Sequence, residues 1–175
     1  MTRITFESHS TTIDNEAGRA AGWYDVELSK LGEQQARDLG ERRKDDLFDI
    51  IYCSDLERSH RTAELAFGTK FPIKMDSRLR ECNYGDMNRG PKEEVEGDKA
   101  SHIDMPYPNG ESWQQAVDRV VACLEDIKHE YPDKRVLIIG HRATQYGLEY
   151  LVNGASVRDI ALAPWHYQPG WEYEL

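Results

Sequence analysis

The chain has 175 residues and a formal charge of −10, with 32 Asp and Glu against 22 Lys and Arg. That length suits one domain with a two- or three-layer core, and that charge is wrong for a nucleic acid or an anionic membrane surface, partners held by basic side chains. An anionic ligand must therefore be captured by a local basic pocket working against an acidic global field.

Cys53, Cys82 and Cys123 are widely spaced, with neither a C-x-x-C pair nor a disulfide framework, so reduced core thiols are expected. Met1–Ser10 lacks the basic flank and long apolar core of a signal peptide, and no run approaches a bilayer span. A soluble cytoplasmic protein is expected.

In chain order, Ile4–Phe6 reads as a short strand running into Ser8, His9 and Ser10, then a loop through Asn15, Gly18 and Gly22. A helix begins near Ser29, whose hydroxyl caps it, and turns Leu31, Ala36 and Leu39 inward. Phe48–Cys53 is a second strand, rich in β-branched and aromatic residues. Ser54 then caps a helix that Gly68 stops after Phe67. Phe71–Met75 reads as a third strand, after which the pattern dissolves over 78–111, a stretch rich in Gly and Pro with an acidic run at Glu93-Glu94. Loops of that length in a compact domain often cover a site, so 86–111 is expected to form a lid or cap, with its charges on a solvated face. Ser112-Trp113-Gln114-Gln115 is a capping box opening a helix with Trp113, Ala116, Val117, Val120, Leu124 and Ile127 on one face, ending before Pro132. Val136–Ile139 is continuously apolar, as a central parallel strand buried on both faces requires. Trp171–Leu175 alternates, as an edge strand with one wet face does. Strands alternating with helices predict an α/β three-layer sandwich with a mostly parallel sheet, in one domain over 1–175.

Three of these strands stop at residues suited to phosphate: Ile4–Phe6 before His9, Ile50–Tyr52 before Ser54 and Arg58, and Val136–Ile139 before His141. Ligands of open α/β sheets bind outside the carboxyl ends of parallel strands, where such residues converge. Taken singly each has an ordinary explanation: a hydrogen-bonded structural histidine, a helix-capping Ser54, a surface ion-pairing Arg58, an exposed Glu81. No metal is implied, since His9, Glu81 and His141 form no i, i+4 pair or compact ligand cluster. The absence of a Gly-x-Ser-x-Gly elbow, and the place of Cys53 inside an apolar strand, argue against a Ser or Cys triad.

Together the residues resemble a family pattern. Ser8-His9-Ser10-Thr11-Thr12-Ile13-Asp14-Asn15 is similar to the Arg-His-Gly-x-Thr-x-x-Asn signature of the histidine phosphatase superfamily, phosphoglycerate mutase-like. Leu28–Ala36 resembles its Leu-Thr-x-x-Gly-x-x-Gln-Ala helix start, and Ser54–Ala63 its Ser-x-Leu-x-Arg-Ala-x-x-Thr-Ala element. Arg78-Leu79-Arg80-Glu81 with Tyr84-Gly85 resembles its acidic element, Asn109–Ser112 its Gly-Gly-Glu-Ser turn, and Gly140-His141 its second histidine.

The resemblance implies that His9 is a phosphorus nucleophile, that Arg58 and His141 hold the phosphoryl oxygens, and that Glu81 is the proton donor. Ser8, Ser10 and Asn15 then belong to the phosphate site. Ser8 stands where the family's Arg would be, Ser10 where its Gly would be, and Arg142 where a small residue is usual. A lost oxyanion donor costs about 3 kcal/mol, so another cation is expected to enter. Arg142, next to His141, is the preferred substitute, ahead of Arg61 and Arg19. The function implied is hydrolysis of a small phosphomonoester with no cofactor. The alternatives are a catalytically impaired phosphate-ester binding or regulatory protein, and a mutase-type phosphotransferase. Specificity is expected in 86–111 and in aromatic walls such as Trp23, Trp113 or Trp165.

Overall fold

A computed structural model describes residues 1–175. The strands β1 (Arg3–Ser8), β3 (Ile50–Cys53), β4 (Ile73–Met75), β6 (Arg135–Gly140) and β7 (Trp171–Glu174) form one sheet in the order β4-β3-β6-β1-β7. All neighbours are parallel except β7, which pairs antiparallel with β1 at the edge. The fold is thus an α/β sandwich on a mostly parallel sheet, and the C-terminal ends of β1, β3 and β6 lie side by side.

Strand periodicity divides the core into two layers. Val136 and Ile138 join Ile4, Phe6 and Tyr52 against Val120, Leu124 and Ile127 of α5 (Trp113–Glu130). Leu137 and Ile139 join Ile51 and Cys53 against α2 (Lys30–Arg42) and α3 (Glu57–Phe67). The expected core face of α5 is buried throughout, and Ser112 with Gln115 forms its capping box.

Leu31 was expected inward but is 53% exposed. Ser29 caps the helix, and Gly32, Ala36 and Leu39 form the buried i, i+4, i+7 stripe, which leaves Leu31 one residue, about 100°, off it. The cap expected from Ser54 is also absent: α3 starts at Glu57, with Leu56 at its N-cap position and no capping side chain. The loop expected after His9 contains α1 (Ile13–Glu16), closed by a capping box between Thr12 and Asn15.

The segment after Arg78 is folded. It carries short 3-10 turns at Ser77–Leu79, Gly85–Met87 and Lys99–His102, strand β5 (Gly90–Pro91) paired antiparallel with β2 (Arg19–Ala20), and α4 (Lys92–Asp98). Tyr84, Val95, Ile103 and Tyr107 fasten it to Trp113 of α5 and Tyr146 of α6 (Arg142–Asn153) in a third apolar cluster. That cluster extends to Val157 and Ala161 of α7 (Val157–Leu162). The three cysteines are buried and unpaired. No helix is long and apolar enough to cross a membrane.

Candidate active site

A cavity of about 590 Å³ opens above the C-terminal ends of β1, β3 and β6. His9, Arg58, Glu81 and His141 line it, as do Ser8, Ser10, Asn15 and Arg142, so all eight predicted site residues meet in one space.

His9 follows β1, and its Nδ1 lies 2.8 Å from the carbonyl oxygen of Ser10. A carbonyl only accepts, so Nδ1 carries the proton and Nε2 keeps a lone pair. Desolvation first, then the charge of Arg58 and, less, that of Arg142 lower His9 to about 3, against an opposing contribution from the Ser10 contact. The imidazole is therefore neutral across the physiological range. Ser10 is itself fixed, its N–H donating to Thr62 Oγ1 at 3.0 Å.

His141 lies beside His9, ring centroids 5.0 Å apart and planes tilted by 51°, and is almost fully buried. Burial, followed by Arg58, pushes its pKa well below the usual histidine value. Its Nε2 is 2.6 Å from Ser54 Oγ, an atom that also accepts the Leu56 N–H at 3.4 Å. Donation of the Ser54 hydroxyl proton to Nε2 satisfies both contacts and places the imidazole proton on Nδ1, a buried atom with no partner. A buried donor without a partner calls for a reason, and a ligand oxygen supplies one.

Arg58 is buried and donates to the carbonyl oxygens of Gly22 (2.6 Å) and Tyr24 (3.2 Å). Gly22 has φ +58°, and a Cβ there would lie 2.1 Å from Asn88 Oδ1, so the turn presenting that carbonyl requires glycine. Neutral carbonyls orient the guanidinium without cancelling its charge.

Glu81, far from being an exposed carboxylate, is 9% exposed and sits over the first turn of α6. Its Oε1 accepts from the N–H groups of Cys82 (2.9 Å) and Ala143 (3.1 Å), and Oε2 from that of Arg142 at 3.3 Å. Oε2 is the more loosely held oxygen.

Ser8 ends β1 opposite Gly140 and lines the cavity. The Arg142 side chain is turned to the cavity, but its Nη1 bonds Glu96 Oε1 at 2.6 Å and its guanidinium lies 5.0 Å from the Trp165 ring centre. Arg61, an expected substitute, pairs with Glu64 on the outer side of α3 and does not line the cavity, whereas Arg19 does.

Residues 5–163 match the Histidine phosphatase superfamily (branch 1). The chain belongs to the histidine phosphatase superfamily. It is 35% identical over 155 residues to the Bacillus subtilis (strain 168) protein named uncharacterized phosphatase PhoE, covering 88% of this chain and 79% of that protein. The probable phosphoglycerate mutase GpmB of Escherichia coli is 33% identical over 150 residues, 81% of this chain and 70% of its own. Among solved structures, Bacillus stearothermophilus YhfR superposes with a TM-score of 0.88 at 26% identity, covering all of this chain and 92% of that one.

This member of the superfamily also uses residues that sequence reasoning passed over. Arg119 of α5 donates to the carbonyl oxygens of Arg78 (2.7 Å), Arg80 (2.8 Å) and Glu81 (2.7 Å) while pairing with Glu111 at 2.6 Å. The Glu111 turn therefore braces the segment that carries Glu81 without entering the cavity. Trp23 joins that brace, its Nε1 donating to Glu81 O at 2.7 Å, and Trp113 is core, so Trp165 alone of the three expected aromatic walls lines the cavity. Lys92 and Glu96 reach it from α4, and Arg42 from α2, where buried Glu7 holds it at 2.9 Å. Arg119 borders the apolar stripe between Ala116, Val120 and Cys123, the one signal that marked it in advance.

Proposed function

We propose that the protein is a phosphatase that hydrolyses a small phosphomonoester through a phosphohistidine at His9, without a metal. The observation that carries this reading is the Nδ1 contact to the Ser10 carbonyl, which leaves Nε2 as a neutral nucleophile facing the cavity. Nε2 attacks phosphorus, the P–O bond to the leaving group breaks, and Glu81 in its protonated form gives that oxygen a proton. Glu81, now a carboxylate, takes a proton from water as the water oxygen attacks phosphorus. The P–N bond breaks, inorganic phosphate leaves and neutral His9 returns. Arg58 and the Nδ1–H of His141 bind the phosphoryl oxygens, with Ser8, Ser10 and Asn15 around them and Arg142 as added charge.

The segment 86–111 is the cap over the leaving-group side, contributing Lys92 and Glu96. Three buried free thiols suit a reducing compartment such as the cytoplasm.

Hydrolysis of radiolabelled p-nitrophenyl phosphate, with rapid quench in alkaline denaturant and a His9→Ala blank, tests this. Label on His9 that is lost in acid supports it. Undiminished turnover by His9→Ala, or loss to a chelator with recovery on adding metal, refutes it. Glu81→Gln is expected to slow alkyl phosphates about a hundredfold and activated aryl esters only a few-fold, because the latter leave without a proton. The uncharged Ser8 in the cavity and the engagement of Arg142 by Glu96 favour a second reading, a phosphate-ester binder of little turnover, which the same assay separates by phosphate binding without hydrolysis.

A further inference from the structure

Arg142 and Arg58 are the two guanidinium groups whose charges bear on His9, yet Arg142 is held elsewhere. Its partner Glu96 lies between two cations: Oε1 is 2.6 Å from Arg142 Nη1, and Oε2 is 3.6 Å from Lys99 Nζ. Lys99 is 3% exposed, donates to Tyr146 Oη at 3.1 Å and rests over the Trp113 ring at 4.5 Å. It has no carboxylate neighbour within 4.0 Å other than Glu96. A second space of about 350 Å³ adjoins the main cavity. Lys92, Glu96, Arg142 and Trp165 line both, and Lys99 lines the second. The Arg142–Glu96 pair thus stands on the shared wall, with room on either side.

We propose that Glu96 and Lys99 are positioning residues that hold Arg142 in reserve: Glu96 keeps it against Trp165 in the empty site, an entering phosphate draws it toward His9, and the freed carboxylate passes to Lys99. The proposal rests on the reading of the His9 cavity as a phosphate site and adds the origin of the cation that Ser8 does not provide. Stripping a partly buried carboxylate of its partner is costly, and so is leaving a buried ammonium without one. Glu96 already lies 3.6 Å from Lys99, so it keeps a cationic partner when Arg142 leaves, and neither charge is abandoned. The exchange is decided by Arg142's preference for a phosphate dianion over a single carboxylate, a preference that planar, bidentate guanidinium geometry favours.

The relay predicts opposite signs at two neighbouring residues. Inorganic phosphate binding is measured by calorimetry for the wild type, Glu96→Gln, Lys99→Met and Arg142→Ala, and for each of the first two changes combined with Arg142→Ala. Glu96→Gln is expected to tighten phosphate about fivefold by releasing Arg142, and Lys99→Met to weaken it about fivefold by denying Glu96 its second partner. Both effects are expected to vanish in the Arg142→Ala background. Tightening by Glu96→Gln that survives there is general electrostatics and overturns the relay, as does an absent or reversed effect of Glu96→Gln. Glu96 is 38% exposed at its side chain, so this variant decides the matter even where Lys99→Met fails to fold. Phosphate that binds normally but responds to none of these changes leaves the site standing and removes the relay. A wild type that binds no phosphate removes both.

Discussion

The two sides of the cavity handle charge in opposite ways. On the strand side, Arg58 is oriented by two carbonyl oxygens and keeps its full charge, and both histidines are neutral with one nitrogen each fixed by an oxygen. On the far side and at the rim, Arg142 is matched by Glu96, and Arg42 by Glu7. A cation held by carbonyls offers a ligand its charge outright. One held by a carboxylate offers only the difference between two anions.

Substitution on each side tests that contrast directly. Arg58→Ala is expected to lower kcat/KM about a thousandfold, while Arg42→Ala, held at the rim by a Glu7 carboxylate that it shares with Arg43, costs less than about threefold. Equal losses on p-nitrophenyl phosphate would abolish the distinction. A smaller change sharpens it: Ser54→Ala leaves every charge in place but frees the tautomer of His141, with an expected loss of about tenfold in kcat and a weaker pull on vanadate. An unchanged kcat would mean that Ser54 only packs.

The smallest effect is on stability. His9 is lowered to about 3 when folded, against an ordinary histidine value near 6.5, so between those limits the unfolded chain binds the extra proton. Stability is complete above pH 6.5 and falls as the pH drops toward 3. At pH 5.5 this amounts to about 1 kcal/mol, or roughly 2–4 °C in Tm, and His9→Asn should flatten the acid limb by that much in a thermal melt. An equal slope in both proteins would place the proton uptake elsewhere.

Much of the strand side was legible because its signals are periodic or terminal. The strands β1, β3 and β6 end directly before His9, Ser54 and His141, and parallel pairing then makes their convergence unavoidable. The roles of Ser54 and Arg58 were less legible, since a serine before a helix reads as a cap and an arginine among charged residues reads as surface. Only the fold shows that Ser54 meets a histidine 87 positions away and that Arg58 meets a turn 36 positions away. The far side carried almost no signal. Glu96 hides in an acidic stretch that resembles a solvated face, and Lys99 is buried by aromatic neighbours drawn from α5 and α6. Leu31 was misplaced for a related reason: a helix register is set by its cap and its tightest contact, and one apolar residue does not outweigh them.

The segment carrying Glu81 and the start of α6 carrying His141 are knotted through one side chain. Thr144 Oγ1 accepts the His141 N–H at 3.0 Å and donates to the Leu79 carbonyl at 2.9 Å, while Ala143 N–H holds Glu81 itself. Glu81 and His141 therefore travel as a single part, whatever the segment 86–111 does. If the proposed reading holds, drift within 86–111 redraws the range of accepted esters while the spacing between Glu81 and His141 stays as it is, so new substrates are open to this scaffold without the chemistry having to be rebuilt.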